Sequence, residues 1–225
     1  MKLAIVLPAY NEEEMIFEVV KSIPKKLPGI SQIKTIVVDD GSQDRTAQLA
    51  RQAGAKVLRH IINLGVGSAY KTGLQYAKNQ RYDIVATMDA DGQHSPNDLK
   101  KIIKPIVGNK ADVVIGTRMK NPQAMPVIKI LGNWIMNCIT YLFSGIWTTD
   151  SQSGFRAYNK KALSLIRPKT SGYEICTEMF SEIKKYDLRF SEIPIKVIYT
   201  KHSRSKGQSI ANAVNIITNL LKRNL

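Results

Sequence analysis

Ile84-Val85-Ala86-Thr87-Met88-Asp89-Ala90-Asp91-Gly92-Gln93 decides how the rest of the chain is read. An apolar run without polar alternation suits a strand covered on both faces, as in a parallel sheet. Here such a run ends abruptly in two carboxylates. The same pattern recurs three times. Leu3-Ala4-Ile5-Val6-Leu7 runs into Pro8-Ala9-Tyr10-Asn11-Glu12, and Thr35-Ile36-Val37-Val38 into Asp39-Asp40-Gly41-Ser42. Asp112-Val113-Val114-Ile115-Gly116 runs into Thr117-Arg118. Helices are predicted between the strands, over about Glu12–Ser22, Thr46–Ala53, Ser68–Asn79 and Asn97–Ile106, with Thr46 and Ser95-Pro96 as start signals. This alternation predicts an α/β fold with an open, mostly parallel sheet flanked by helices, whose ligands lie beyond the C-terminal ends of its strands.

The 225 residues suffice for a substantial core without a disulfide or metal staple. Cys138 and Cys176 lack CxxC spacing and sit in apolar contexts, so both are read as reduced thiols in a cytosolic compartment. Leu3 to Leu7 is too short, and the following Glu12-Glu13-Glu14 too acidic, for a signal peptide. The net charge of +15 is unevenly spread: residues 1–100 hold 13 Lys/Arg against 11 Asp/Glu, residues 101–225 hold 20 against 7. The second part is therefore expected to meet anions, with a merely well-solvated surface as the alternative. No linker separates the parts. The chain reads as one domain, 1–225, whose character changes after residue 118 to a basic, membrane-facing part over 119–225.

From Ile130 to Thr149 there is no charged residue. Asn133, Asn137, Thr140 and Ser144 form one polar stripe at helical spacing, amid Leu131, Trp134, Ile135, Leu142, Phe143 and Trp147. A wide apolar face with a narrow polar stripe suits a helix lying in a membrane interface; a buried core helix is the competing reading. Ser209–Leu221 is also amphipathic, with Ile210, Val214, Ile217 and Leu221 on one face.

Asp89 and Asp91, just past an apolar strand, can grip a divalent ion while leaving positions open for phosphates, and Gln93 adds a neutral oxygen at the same mouth. The ion would neutralise charge on a diphosphate leaving group. A polar loop capping the next helix would look similar. Asp39 can accept from a base N–H or a ribose hydroxyl, although a turn feeding the next helix explains the same residues. Gly65-Val66-Gly67 lacks the final glycine of the dinucleotide fingerprint, since Tyr70 stands there. His60, His94 and His202 lack zinc-ligand spacing. Arg118, Arg156, Lys201, Arg204 and Lys206 lie in polar, loop-like contexts, and the Lys201–Ser209 loop can fold over phosphates or remain a solvated loop.

Taken in order, Pro8-Ala9-Tyr10-Asn11-Glu12, Val38-Asp39-Asp40-Gly41-Ser42, Asn63-Leu64-Gly65, Asp89-Ala90-Asp91-Gly92-Gln93-His94, Gly116-Thr117-Arg118 and Asp150-Ser151-Gln152-Ser153-Gly154-Phe155-Arg156 resemble glycosyltransferase family 2, of GT-A fold. With the Lys201–Ser209 loop they are similar to its dolichol- or polyprenol-phosphate mannosyltransferase branch, over residues 3 to about 209. The resemblance implies that Pro8, Tyr10, Glu12 and Asp39 line the nucleoside pocket. It implies that Asp89, Asp91 and Gln93 hold Mg²⁺ or Mn²⁺ against the donor diphosphate, and that Lys206 contributes to nucleotide-sugar binding. Arg118 would contact the acceptor phosphate, Arg204 would belong to a closing loop, and Asp150 would lie near the reacting centre. Lys129 stands where relatives often carry a second arginine clamp; it offers a point charge without the fork. Many relatives continue into transmembrane helices, whereas this sequence stops at Leu225, as a short surface-bound form or a fragment would.

The implied reaction is an inverting transfer of a hexose, mannose from GDP-mannose, to dolichyl or polyprenyl phosphate. The acceptor is already anionic near neutral pH, which leaves Asp150 to orient more than to abstract a proton. The implied location is cytoplasmic, peripheral at the inner face of an anionic membrane. One alternative is a UDP-sugar-dependent transferase acting on polyprenyl phosphate or a soluble glycan. Another is a non-catalytic basic module binding nucleic acid or a membrane. Carboxylates at the strand ends would repel phosphates without a metal, so nucleic acid is not an expected partner.

Overall fold

A computed structural model describes residues 1–120 and 125–198. Seven strands form one sheet in the order β3-β2-β1-β4-β6-β5-β7: β1 (Lys2–Ala9), β2 (Gln32–Asp39), β3 (Lys56–Arg59), β4 (Ile84–Thr87), β5 (Val113–Thr117), β6 (Arg156–Asn159) and β7 (Phe190–Pro194). β1 to β4 pair in parallel, as do β5 and β7, while β6 runs antiparallel between β4 and β5. Six strands thus share one direction, and β6 begins at the edge where they end. The mostly parallel α/β sheet expected from the sequence is the one seen.

Alternation along β1 explains how the sheet is clothed. Leu3, Ile5 and Leu7 join one core with Ile16, Val19 and Val20 of α1 (Ile16–Ser22), Ala50 of α2 (Thr46–Gln52), and Leu99, Ile102 and Ile103 of α4 (Leu99–Val107). Ala4 and Val6 join the other. That core takes Ala69, Tyr70 and Leu74 from α3 (Val66–Asn79), Ala162 and Leu163 from α6 (Lys160–Leu165), and Met179, Phe180 and Ile183 from α7 (Ile175–Lys185). Because both faces are covered, the central strands need no polar alternation.

Local signals differ from expectation at several helix ends, beginning with α1, which starts at Ile16 and not at Glu12. Thr46 is the first helical residue of α2 and not its cap: the Asp44 carboxylate accepts from the Thr46 amide at 2.9 Å, while the Thr46 hydroxyl accepts from the Glu12 amide at 2.8 Å. Ser95 precedes a short 3-10 turn over Pro96–Asp98 and caps nothing through its side chain. α5 (Val127–Ser144) ends at Gly145, whose φ of 69° is a left-handed C-terminal stop, so residues 146–149 lie outside the helix.

The orientation of α5 is decisive. Its polar stripe, Asn133, Asn137, Thr140 and Ser144, is buried, while Val127, Ile128, Leu131, Trp134, Ile135, Tyr141 and Leu142 are exposed. A core helix would do the reverse. The core-helix alternative therefore falls. Among the described residues α5 is the one helix long and apolar enough to cross a bilayer.

Candidate active site

The ends of β1, β2, β4 and β5 meet the start of β6 along one edge. At the end of β2, Asp39 is wholly buried. Its Oδ1 accepts from the Ser42 amide at 3.1 Å. Its Oδ2 lies 3.0 Å from Arg59 Nε, close enough for an ion pair but without a hydrogen bond, and so keeps unused acceptor capacity. Asp40 accepts from the amides of Leu64 (3.0 Å) and Gly65 (2.9 Å) and contacts His60 Nδ1 at 2.6 Å, which fixes the 60–65 loop against the same edge. Pro8 is buried beyond the last β1 residue paired with β4, Tyr10 stands half-exposed, and Glu12 is buried.

At the end of β4, Asp89 is gripped from three sides. Tyr70 donates to its Oδ1 at 3.1 Å, His94 Nε2 lies 3.0 Å from its Oδ2, and Gly154 is packed against it. A Cβ on Gly154 would stand 2.6 Å from Asp89 Cγ, and its φ is not the reason for the glycine: the close approach is. The Asp89 side chain keeps 40% exposure toward the mouth. Burial pushes its carboxyl up, but the hydrogen bond and charge of His94, then Arg118 and Tyr70, hold it below the ordinary range. Burial and then the charge of Asp89 push Asp91 the other way, upward. Gln93 holds Asp91 twice, through its backbone amide at 3.0 Å to Oδ1 and through Nε2 to Oδ2.

At the end of β5, the partly exposed Arg118 and the buried Asp150 form a fork. Arg118 donates Nε to Asp150 Oδ2 and Nη2 to Oδ1, both at 2.7 Å, and its backbone amide adds a bond at 2.9 Å. Asn133 of α5 donates to Asp150 Oδ1 at 2.8 Å. Asp150 is wholly buried; burial alone would raise its carboxyl, yet Arg118 and then Asn133 hold it below the usual range. The stripe of α5 continues the grip: Asn137 donates to Thr149 O and accepts from Ser151 N, each at 2.8 Å. Glu192 of β7 receives the Thr148 hydroxyl at 2.6 Å and the Thr149 amide at 2.7 Å. Lys129 stands one turn before Asn133, on the same side of the helix.

The expected residues Pro8, Tyr10, Glu12, Asp39, Asp89, Asp91, Gln93, Arg118 and Asp150 thus all lie on one edge. Arg204, Lys206, the Lys201–Ser209 loop and the Ser209–Leu221 segment lie outside the described residues. Arg156 corrects the expectation of a loop-like context: it is a buried β6 residue donating to the carbonyls of Ser153 (2.8 Å) and Ser151 (2.7 Å), stacked over Phe180. It templates the loop that carries Asp150 and Gly154. The Gly65–Gly67 stretch packs against residues 170–172: the Gly67 amide donates to Ser171 O at 2.7 Å.

Sequence reasoning missed Tyr70, His94, Asn133 as a partner of Asp150, Gly154 and Tyr173. Tyr173 is half-exposed, and its hydroxyl is raised first by burial and then by the charge of Asp89, with Cys176, Asp91 and Glu12 following. The place of His94, five residues after Asp89 in the same turn, was the available signal.

The residues fit a divalent cation. Asp89 and Asp91 stand two residues apart just past β4, Asp91 is raised first by burial and then by the charge of Asp89, and the Asp89 side chain remains partly exposed. Among the described residues no cluster of three His, Cys, Asp or Glu side chains forms a closed cage. An open pair is what Mg²⁺ or Mn²⁺ needs when phosphate oxygens and water complete the shell.

Comparison with known proteins bears on the family and the fold. The family model described as Glycosyl transferase family 2 matches residues 4–166. The chain is 38% identical to the UDP-N-acetylglucosamine–dolichyl-phosphate N-acetylglucosaminyltransferase of Methanococcus voltae, over 96% of this chain and 94% of that protein. It is 28% identical to the undecaprenyl-phosphate mannosyltransferase of Micrococcus luteus, over 97% and 93%. In three dimensions it is similar to glucosyl-3-phosphoglycerate synthase from Mycobacterium tuberculosis, solved with Mn²⁺ and UDP-glucose, with a TM-score of 0.73 at 21% identity, covering 99% of this chain and 78% of that one. That likeness is one of fold, the GT-A type.

Proposed function

The chain belongs to glycosyl transferase family 2, and from that premise we propose that it transfers a hexose from a nucleotide diphosphate sugar to a dolichyl or polyprenyl phosphate at the cytoplasmic surface of a membrane. The observation that carries this reading is the facing of two arms across one edge: Asp89 with Asp91 at the end of β4, and the Arg118–Asp150 fork at the end of β5. Gly154 and Asp150 belong to one loop, so the arms are held in fixed relation.

Asp89 and Asp91, with Gln93 acting on or beside Asp91, would hold Mg²⁺ or Mn²⁺. When bound, the ion neutralises charge on the departing diphosphate. Asp39, whose Oδ2 is ion-paired with Arg59 but makes no hydrogen bond, accepts from the nucleoside, and Pro8, Tyr10 and Glu12 line the same end. Arg118 binds the acceptor phosphate, and Lys129 supports it from α5. Four donated bonds already surround Asp150, which suits a residue that orients Arg118 and does not take a proton. The acceptor oxygen, anionic already, attacks the anomeric carbon from the side opposite the diphosphate, giving inversion. Arg204 and Lys206 would add charge to the phosphates. The exposed apolar face of α5 lies against the bilayer, and the basic balance of the second part favours an anionic one.

The donor proposed from the resemblance is GDP-mannose. UDP-N-acetylglucosamine is the second reading, favoured by the 38% identity to the Methanococcus voltae enzyme. The test is transfer of radiolabelled sugar from a panel of GDP- and UDP-sugars to polyprenyl phosphate, with Mn²⁺ and with EDTA. Transfer that needs the metal and a lipid phosphate is expected. Undiminished transfer in EDTA, or transfer only to soluble glycans, refutes the reading.

A further inference from the structure

His94 is buried at 3% exposure beside a carboxylate that remains partly open to solvent. Its ring is fixed before any ligand arrives. The ring centroid lies 5.3 Å from that of Phe155, and the backbone at His94 forms an isolated antiparallel bridge with Val197. The neighbouring Gln93 carbonyl accepts from the Ile198 amide at 2.9 Å, so the whole turn is tied to the segment after β7.

The two ring nitrogens differ. Nε2 lies 3.0 Å from Asp89 Oδ2, whereas Nδ1 is buried with no partner among the described residues. A carboxylate oxygen accepts and cannot donate, so Nε2 must carry the proton. A ring filling core space alone gains nothing from an unpaired Nδ1, because a buried polar atom without a partner is unfavourable. What the position does secure is a donor aimed at one oxygen of Asp89. Tyr70 supplies the matching donor to the other oxygen, at 3.1 Å. Each oxygen then has one lone pair engaged by protein and one left over.

We propose that His94 is a positioning residue for the metal site: its Nε2–H, together with the Tyr70 hydroxyl, fixes the rotation of the Asp89 carboxylate so that its remaining lone pairs face the cation. This rests on the metal-dependent reading above. Hydrogen-bonded partners of ligating carboxylates and imidazoles tune affinity, and their loss typically weakens metal binding roughly 10- to 100-fold.

The test compares His94→Gln, His94→Asn and His94→Ala by Mn²⁺ titration followed by electron paramagnetic resonance, with UDP or GDP present, and by circular dichroism melting. A glutamine amide nitrogen reaches the place of Nε2; an asparagine nitrogen reaches only the place of Nδ1, where no partner waits. The glutamine variant is expected to bind Mn²⁺ within about threefold of wild type, and the asparagine and alanine variants roughly 10- to 100-fold more weakly. Glutamine and asparagine variants should melt alike, so that a difference in Mn²⁺ affinity between them cannot come from folding. Equal affinity in all three variants and wild type overturns the proposal, as does a glutamine variant as weak as alanine. Wild-type protein that binds no Mn²⁺ with either nucleotide overturns the metal-dependent reading itself, and this proposal with it.

Discussion

Gly154→Ala adds a single methyl group at the point where the two arms of the site touch. The new Cβ would lie 2.6 Å from Asp89 Cγ and would collide with both carboxylate oxygens. Ordinary contact for such atoms begins near 3.4 Å, so one partner must retreat by about 1 Å. The backbone resists: Gly154 O receives the buried Thr87 hydroxyl at 2.8 Å and the Tyr70 hydroxyl at 3.4 Å. The carboxylate therefore yields, losing its alignment to His94 and Tyr70. A misplacement of about 1 Å at a reacting centre can cost roughly 100-fold, or about 2.7 kcal/mol of transition-state stabilisation. Folding stability should fall by less than about 2 kcal/mol, the scale of one or two strained hydrogen bonds. The assay is kcat/KM for sugar transfer at several Mn²⁺ concentrations, alongside thermal melting. Gly132→Ala is the control, since its Cβ would meet nothing within 4 Å and should add about 0.5–1 kcal/mol of helix stability without touching activity. A Gly154→Ala enzyme with wild-type kcat/KM refutes the argument that Gly154 sets the place of Asp89.

Arg118→Ala should lower kcat/KM for the lipid phosphate by roughly 10- to 150-fold, the worth of one charge-assisted contact of about 1.5–3 kcal/mol, with a smaller effect on donor binding; a lower melting temperature should accompany it, because the buried Asp150 loses its guanidinium partner. Leu142→Asp, at a position 80% exposed on α5, should leave melting and soluble-nucleotide binding unchanged while weakening flotation with anionic vesicles; unaltered flotation counts against the outward face as the membrane contact. Asp112 is held well below the usual carboxylate range, first by the Arg189 guanidinium and against its own burial. A depressed folded pKa means that this stabilisation is full above the unfolded value of about 3.9 and is lost as pH falls below it, so Asp112→Asn should flatten the acid limb of melting temperature against pH.

What the sequence shows of this fold depends on how each strand is surrounded. β1, β2, β4 and β5 are apolar runs because helices cover both faces, and their ends could be read directly. β3, Lys56–Arg59, is an edge strand with mixed exposure and no pattern to find. β6 hides for a different reason: Arg156-Ala157-Tyr158-Asn159 looks like loop, yet Arg156 is buried because backbone carbonyls, not water, satisfy its guanidinium. Within the site, the carboxylates and Arg118 announce themselves by standing at strand ends. Gly154, Tyr70 and Asn133 do not, since their roles exist only as contacts between distant parts of the chain. The stripe Asn133, Asn137, Thr140, Ser144 was visible, but periodicity gives a face and never says whether that face meets water or protein.

That last ambiguity carries the argument about where the acceptor comes from. Soluble proteins rarely leave a contiguous apolar face open, and α5 leaves Val127, Ile128, Leu131, Trp134, Ile135, Tyr141 and Leu142 open together. The helix is nevertheless firmly held, because its buried side bonds to Thr149, Asp150 and Ser151 and because Thr140 meets Thr177 of α7 at 3.0 Å. Asn133 and Trp134 are consecutive, yet one is bonded to the partner of Arg118 and the other faces outward at 55% exposure. One helix thickness, about 10 Å, therefore separates the proposed phosphate site from the apolar surface. A lipid phosphate presents the same order of chemistry, an anionic head joined directly to a hydrocarbon chain. An acceptor of that kind could reach Arg118 with its tail still in the bilayer, whereas a soluble glycan would leave the outward face of α5 without a use.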